Sequence, residues 1–326
     1  MADSGTARRR RLGSTGIEVS PIGLGGLQFA GRGMSGAVYT TVGQDTVDAI
    51  VAAALAGGVD WFDTAEMYGR GQSERMLATA LRHNDVAAGD ARIATKWSPL
   101  GRTAASIERT IGTRLACLDG YPIDLYQIHS PQGALSPLSA QVAAMGRLLA
   151  SGKVRSVGVS NFSARQMARA DAVLRARGAR LASNQVHVNL LHRDVERNGV
   201  LETARRLGVT LIAYAPLAGG LLTGRYHDDP GAARARSLAR RLMGRVYGSG
   251  AVARSAPLIA EMRAIGGAYG ASVSQVALAW LLAHYGDTLV AIPGASRPGQ
   301  AAESAAAMDL RLTSVEVGRL DDLSRV

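Results

Sequence analysis

The chain has 326 residues, 47% of them apolar and 19% charged, with a formal charge of +11 at neutral pH and a single cysteine, Cys117. That balance describes a globular chain rather than a disordered one, and one cysteine excludes an intrachain disulfide. No run of roughly eighteen apolar residues is present to span a bilayer, and the charged start from Met1 to Arg11 is followed by no apolar stretch, so a cytoplasmic location is expected.

Lys96 and Lys153 are the only lysines, so nearly all the positive charge is arginine, spread along the chain. With 5% aromatic residues and no zinc-finger spacing, stacking motif or basic zipper, a nucleic-acid partner is not expected. The basic surface reads as a solvated one.

Taken in order, Arg11 to Ser20 reads as a hairpin turning at Ser-Thr-Gly. Short strand-like runs then recur at 22–24, 61–62, 92–95, 123–128, 154–159, 181–186, 210–213 and 289–292. Between them lie stretches with an apolar period near 3.6, at 46–55, 73–83, 106–118, 138–149, 164–176, 195–207, 273–284 and 300–307. Strands alternating with helices predict a parallel sheet, and its simplest closure is a single-domain (β/α)8 TIM barrel over residues 1–326, its bottom plugged by the N-terminal β-hairpin. The competitor, an open doubly wound sheet, would carry a Gly-x-Gly-x-x-Gly turn after the first strand; Gly23-Leu-Gly-Gly26 lacks that spacing. The stretch from Tyr226 to Gly250, with arginines at 234, 236, 240, 241 and 245, breaks the rhythm and reads as a lid or a mobile insert.

In such a barrel, chemistry sits where strands end at the C-terminal rim. The second strand ends at Asp63, five residues before Tyr68; the third ends at Thr95-Lys96-Trp97; the fourth ends at Ile128-His129. A phenol is a poor acid at neutral pH, and a nearby ammonium makes it a better one. Lys96 supplies that charge, Asp63 orients Lys96, and a neutral His129 donates a hydrogen bond to a developing alkoxide. Tyr68 then protonates that oxygen. Each residue alone has an ordinary structural reading, but three successive strand ends placing them at one mouth favours chemistry.

These segments resemble the aldo-keto reductase family over nearly the whole chain. Trp61-Phe-Asp-Thr-Ala-Glu-Met-Tyr-Gly-Arg-Gly-Gln-Ser-Glu74 is similar to its signature around the catalytic Asp and Tyr, Ala94-Thr-Lys-Trp97 to the strand bearing its Lys, and Asp124-Leu-Tyr-Gln-Ile-His129 to the strand bearing its His. The resemblance implies a metal-free reduction of an aldehyde or ketone by NADPH/NADP+, with the tetrad on Asp63, Tyr68, Lys96 and His129. It also implies that Ser160, Asn161 and Gln185 bind the nicotinamide carboxamide and that Tyr214 stacks on the ring. Ala215, Pro216, Leu217, Gly219, Leu221, Gly224 and Arg225 would belong to the loop over the pyrophosphate.

The run from Ile292 to Ser304 leaves the last strand for a helix whose N–H groups attract phosphate. There Gly294, Ser296 and Arg297 suit the 2′-phosphate side of NADPH, and Gln300 and Glu303 match adenosine contacts. Two positions depart from the family's pattern: Ser304 stands where Asn is usual, and Gly26, also placed at the cofactor, where Thr is common. Gln28 and Trp97, with Phe29, Tyr39 and Phe162, are the expected lining of the substrate pocket. Little chain remains after Leu310 to close over the mouth, which implies an open pocket. The alternatives are a narrow sugar or polyketide ketoreductase, and an NADPH-binding regulatory or redox-sensing subunit with little turnover. Oligomeric state is left open.

Overall fold

The computed structural model describes residues 9–31, 42–229 and 249–325. Arg10–Arg11 (β1) and Glu18–Val19 (β2) pair antiparallel as the expected hairpin. Among the described residues a further eight strands follow: Leu24–Gly25 (β3), Trp61–Asp63 (β4), Arg92–Trp97 (β5), Leu125–Ile128 (β6), Val157–Ser160 (β7), Ser183–His187 (β8), Thr210–Tyr214 (β9) and Leu289–Ala291 (β10). Each lies parallel to its neighbour in chain order. The two ends of this row meet, because Ile22 bridges Ala291 and Gly25 bridges Gly294 in parallel fashion. Gly23 N–H donates to Ala291 O at 2.8 Å and Gly25 N–H to Pro293 O at 3.0 Å. The sheet closes on itself as a (β/α)8 barrel, which leaves no strand edge exposed.

Helices cover the outside: Gln44–Ala56 (α1), Gln72–His83 (α2), Ala105–Leu118 (α3), Leu138–Ala150 (α4), Ala164–Arg175 (α5), Val200–Leu207 (α6), Ser249–Tyr269 (α7), Val273–Tyr285 (α8), Pro298–Ala306 (α9) and Ser314–Leu323 (α10). Two of these, α7 and α10, were not anticipated, although Thr313 and Glu316 form a capping box at the start of α10. The helix expected over 195–207 is broken: a 3-10 turn, Asp194–Glu196, precedes α6, and Gly199 between them is left-handed (φ 77°). The short tail is used in packing. Trp280 of α8 donates its indole N–H to Val317 O at 3.1 Å, and the Tyr269 hydroxyl of α7 reaches Glu316 at 3.0 Å.

The barrel interior is layered. Trp61, Ala94, Leu125, Ala182, Ile212 and Val290 form an apolar floor with Leu12 and Val19 of the hairpin, so the hairpin plugs the bottom by burying its own apolar side chains there. Trp61 is 1% exposed, and Ser20 O accepts its indole N–H at 2.9 Å. Burying a large apolar side chain with its polar atom satisfied contributes on the order of 1.5–3 kcal/mol. Arg10 fastens the plug by donating to the carbonyls of Leu282 and Leu289. Because side chains alternate along a strand, the residues two places beyond Trp61, Ala94 and Leu125 point into the same interior, one layer nearer the C-terminal mouth.

No single helix among the described residues is long and apolar enough to cross a membrane.

Candidate active site

Two places beyond Trp61, Ala94 and Leu125 stand Asp63, Lys96 and Gln127, and Lys96 is in register with Gln127 across the β5–β6 pair. Lys96 is 0% exposed and Asp63 2%. Their side chains form an ion pair through Asp63 Oδ1, while Lys96 Nζ also donates to Thr64 O at 2.8 Å. The second carboxylate oxygen, Oδ2, accepts from Gln127 Nε2 at 3.1 Å and from Gln185 Nε2 at 2.8 Å. A buried charge pair persists only when its remaining hydrogen-bonding capacity is met in this way. Burial pulls the Lys96 pKa down, but Asp63 and Tyr68 outweigh it and hold it above the ordinary lysine value.

Lys96 Nζ lies 5.1 Å from the centroid of the Tyr68 ring. Tyr68 rides on a turn between β4 and α2 whose next three residues, Gly69, Arg70 and Gly71, are all left-handed (φ 63°, 55° and 87°). Gly69 admits no other residue, since a Cβ there would sit 1.9 Å from Ala30 O. The turn is thus pressed against the first strand's exit, and the phenol faces the barrel mouth. His129 stands edge-on to Tyr68, ring centroids 5.8 Å apart and planes at 79°. Burial, reinforced by the Lys96 charge, pushes the His129 pKa down to about 3. The imidazole is therefore neutral and keeps one N–H to donate. We expect its two ring ¹⁵N shifts to show a neutral imidazole from neutral pH down to about pH 4; an ordinary titration between about 6 and 7 would show that the site is wetter than this geometry.

Around this centre the strand ends converge. Ser160 donates to Gln185 O at 3.0 Å, and Asn161, left-handed at φ 60°, donates through Nδ2 to Ser160 Oγ at 3.2 Å. The Tyr214 hydroxyl reaches Asn161 Oδ1 at 3.1 Å. Beyond Tyr214 the chain runs through left-handed residues at Ala215, Ala218, Gly219, Gly220 and Gly224. Such strain outside glycine clusters at binding loops. Leu221 is fully buried and packs into the core.

At the far side Arg297 occupies the N-cap position of α9 without a side-chain capping bond, with Pro298 at the helix's first position, and is exposed. The Gln300 side chain accepts from Ser296 N at 2.9 Å and Ser296 Oγ at 3.1 Å. Glu303 accepts the Ser272 hydroxyl at 2.5 Å, and Ser304 is 7% exposed. Gly26 donates its N–H to Asp63 O at 2.7 Å, joining the first strand's exit to the tetrad strand.

The pocket expectations need correction. Trp97 is 0% exposed, donates to Ser106 Oγ of α3 at 3.1 Å and lies under the Arg102 guanidinium. Its neighbour Lys96 points into the barrel, so strand alternation turns Trp97 out to the helix layer. Phe29 and Phe162, each 1% exposed, are likewise core. Gln28 packs against the backbone of Gly294, and its Oε1 is buried with no partner among the described residues; this puts it beside the loop that follows β10. Tyr39 and the arginines at 234–245 lie outside the described residues.

Sequence reasoning missed Gln127, which supports Asp63; its position two residues before His129 is the signal, since period-2 alternation places both inward. It also missed His187 at the end of β8. His187 is stacked between His192 (4.1 Å) and Tyr214 (5.3 Å), with its pKa pushed down to about 4 by burial and then by His192.

The closed parallel barrel thus holds a buried ammonium–carboxylate pair beside a tyrosine and a neutral imidazole at one mouth. The model of the aldo/keto reductase family matches residues 21–325, and the chain belongs to that family of NADP(H)-dependent oxidoreductases acting on small-molecule carbonyl compounds. It is 39% identical to an uncharacterized oxidoreductase of Mycobacterium tuberculosis over 94% of this chain and 90% of that one. It is 31% identical to a 6-dehydroglucose reductase of Novosphingobium aromaticivorans over 93% and 90%. An aldo/keto reductase from Klebsiella pneumoniae, solved with NADP and acetate, superposes with a TM-score of 0.71 at 25% identity, covering 97% of this chain and 95% of that one.

Proposed function

We propose that this chain, acting as one domain and without a metal, reduces an aldehyde or ketone to an alcohol at the expense of NADPH, with Tyr68 as the general acid. The observation that carries this reading is Lys96: fully buried, held charged by Asp63 and set 5.1 Å from the Tyr68 ring. An ammonium there favours the phenolate and so makes the phenol a better proton donor. The residues present fit the dinucleotide. Asn161 and Ser160 offer amide and hydroxyl groups for a carboxamide, Tyr214 presents an aromatic ring backed by His187, and Arg297 stands at a helix N-terminus suited to phosphate.

NADPH, when bound, supplies the hydride that goes to the carbonyl carbon. On the protein's side, Tyr68 passes its hydroxyl proton to the carbonyl oxygen as the alkoxide develops, and His129 donates a hydrogen bond to that same oxygen. Lys96 stabilises the tyrosinate that remains until solvent reprotonates it. Asp63 keeps Lys96 charged and aimed, and Gln127 and Gln185 hold Asp63. Consumption of NADPH against a panel of aldehydes, ketones and dicarbonyls tests this reading, and a chain that binds NADPH but turns over none of them would favour a regulatory role.

Cofactor choice has its own test. Arg297 makes no ion pair among the described residues, which leaves its fork open for a 2′-phosphate. A charged hydrogen bond of that kind contributes about 1.5–3 kcal/mol. Arg297→Ala is expected to weaken NADPH binding by roughly ten- to a hundredfold and to leave NADH nearly unchanged. Equal losses for both cofactors would remove Arg297 from the 2′-phosphate. The substrate belongs to the carbonyl class, and the Novosphingobium relative, a reductase of a dehydro-sugar by name, makes oxidised sugars the first compounds to try. We place the enzyme in the cytoplasm, where its lone cysteine, buried at 6% exposure, stays reduced.

A further inference from the structure

Two carboxylates bracket Tyr68 in the chain, Glu66 before it and Glu74 after it, and both converge on one buried guanidinium. Arg114, from α3, pairs with Glu74 Oε2 at 2.5 Å, and its Nε lies 3.9 Å from Glu66 Oε2. Glu74 is 0% exposed and Arg114 6%. The other oxygen of Glu74 accepts the hydroxyl of Thr95 at 2.6 Å, the residue next to Lys96. Glu66 in turn accepts Ser98 N–H at 2.5 Å and pairs with Arg102.

The pair touches the turn directly. A Cβ at Gly71 would lie 3.2 Å from both Glu74 Oε2 and an Arg114 nitrogen. The left-handed run Gly69–Arg70–Gly71 is therefore flanked by this ion pair at Gly71 and by Ala30 O at Gly69. An exposed loop would relax such a conformation, because an arginine at φ 55° is strained by roughly 1–3 kcal/mol unless its surroundings over-determine it.

We propose that Glu74 and Arg114, with Glu66, are positioning residues that clamp the turn carrying Tyr68 and so hold the phenol against Lys96. The clamp rests on the assignment of Tyr68 as the acid. Arg75 on its own helix, Thr95 of β5, Arg114 of α3, Glu66 of the turn and Tyr126 of β6 are the ionisable and charged or hydroxyl-bearing groups whose influence Glu74 shares. Cys117 of α3 lies beside Arg75, with 3.2 Å between Sγ and the guanidinium. Burial pushes the Glu74 carboxyl up to about 7, against the pull of Arg114 and then of Thr95. The ion pair therefore forms as pH rises through neutrality and is lost below it. A clamp of this kind makes hydride transfer weaken as pH falls through about 7, opposite in sign to what supply of protons alone would do.

The test is single-turnover hydride transfer at saturating NADPH across neutral pH, in the full chain. Glu74→Gln, permanently neutral, is expected to be slower by about tenfold on the alkaline side and to lose the step near pH 7. Its NADPH dissociation constant should stay within about twofold of wild type, because no cofactor-facing residue is touched. Thr95→Val removes one hydrogen bond from the carboxylate and is expected to move the step to higher pH, which keeps the idea testable if Glu74→Gln does not fold. A folded Glu74→Gln with the wild-type rate and pH profile, or a Thr95→Val with an unmoved step, would overturn the clamp. Tyr68→Phe is run beside them. Full activity there sinks the Tyr68 assignment itself, whereas an inactive Tyr68→Phe with a wild-type-like Glu74→Gln sinks only the clamp.

Discussion

Tyr68→Phe is expected to slow carbonyl reduction by roughly 10²- to 10⁴-fold, the usual contribution of a positioned general acid, while NADPH still binds within about twofold of wild type. The ring and its edge-on contact with His129 survive the change; only the hydroxyl that Lys96 senses is lost. Stability should barely move, because Tyr68 is partly exposed and the change leaves untouched both contacts of its turn, Gly69 against Ala30 O and Gly71 beside the Glu74–Arg114 pair. Stopped-flow measurement of NADPH oxidation separates the two effects. A slow chemical step with intact binding supports the acid role, and an unaffected chemical step would move the proton source elsewhere.

Lys96→Met should have the larger structural consequence. Removing one member of a buried ion pair leaves the other charge uncompensated, which typically costs about 3–5 kcal/mol. Here Asp63 retains Gln127 and Gln185 as donors, so the loss measured by urea unfolding should fall near the lower end, and reduction should fall with it. The informative comparison is the double variant Lys96→Met with Asp63→Asn. With neither charge left to solvate, most of the lost stability should return, and none of the activity. A double variant that recovers activity would mean that the pair serves packing rather than proton transfer. Wild type carries a related pH signature. Because the folded protein holds the Lys96 pKa above its ordinary value, the stabilisation is full below the usual lysine range and is lost as pH climbs through the raised value.

Much of this was legible in the chain. The alternation of short β-branched runs with helical periods led to the closed parallel barrel, and each strand was placed to within a few residues, because a strand buried on both faces must be apolar and brief. That Asp63, Tyr68, Lys96 and His129 gather at one mouth was legible because strand ends mark the C-terminal rim and because a chain that otherwise avoids lysine keeps one at position 96. The helix expected over 195–207 runs across Gly199, whose left-handed conformation interrupts it. Trp97 is expected in the pocket, but the inward Lys96 beside it requires the opposite face.

What the sequence determines by itself is therefore periodic and local: the order of strands and helices, the plugging hairpin, and four polar residues that neighbouring strand ends bring to one mouth. What only the tertiary structure decided is which polar groups meet. Gln127 and Gln185, from strands that are not neighbours, close on one oxygen of Asp63, and Glu66 and Glu74 meet on Arg114 from a third element. Those pairings depend on barrel curvature and on which face of each helix is turned inward. They are long-range distances that no spacing along the chain encodes, whereas the side-chain alternation that aims each residue at the interior is written in every second position.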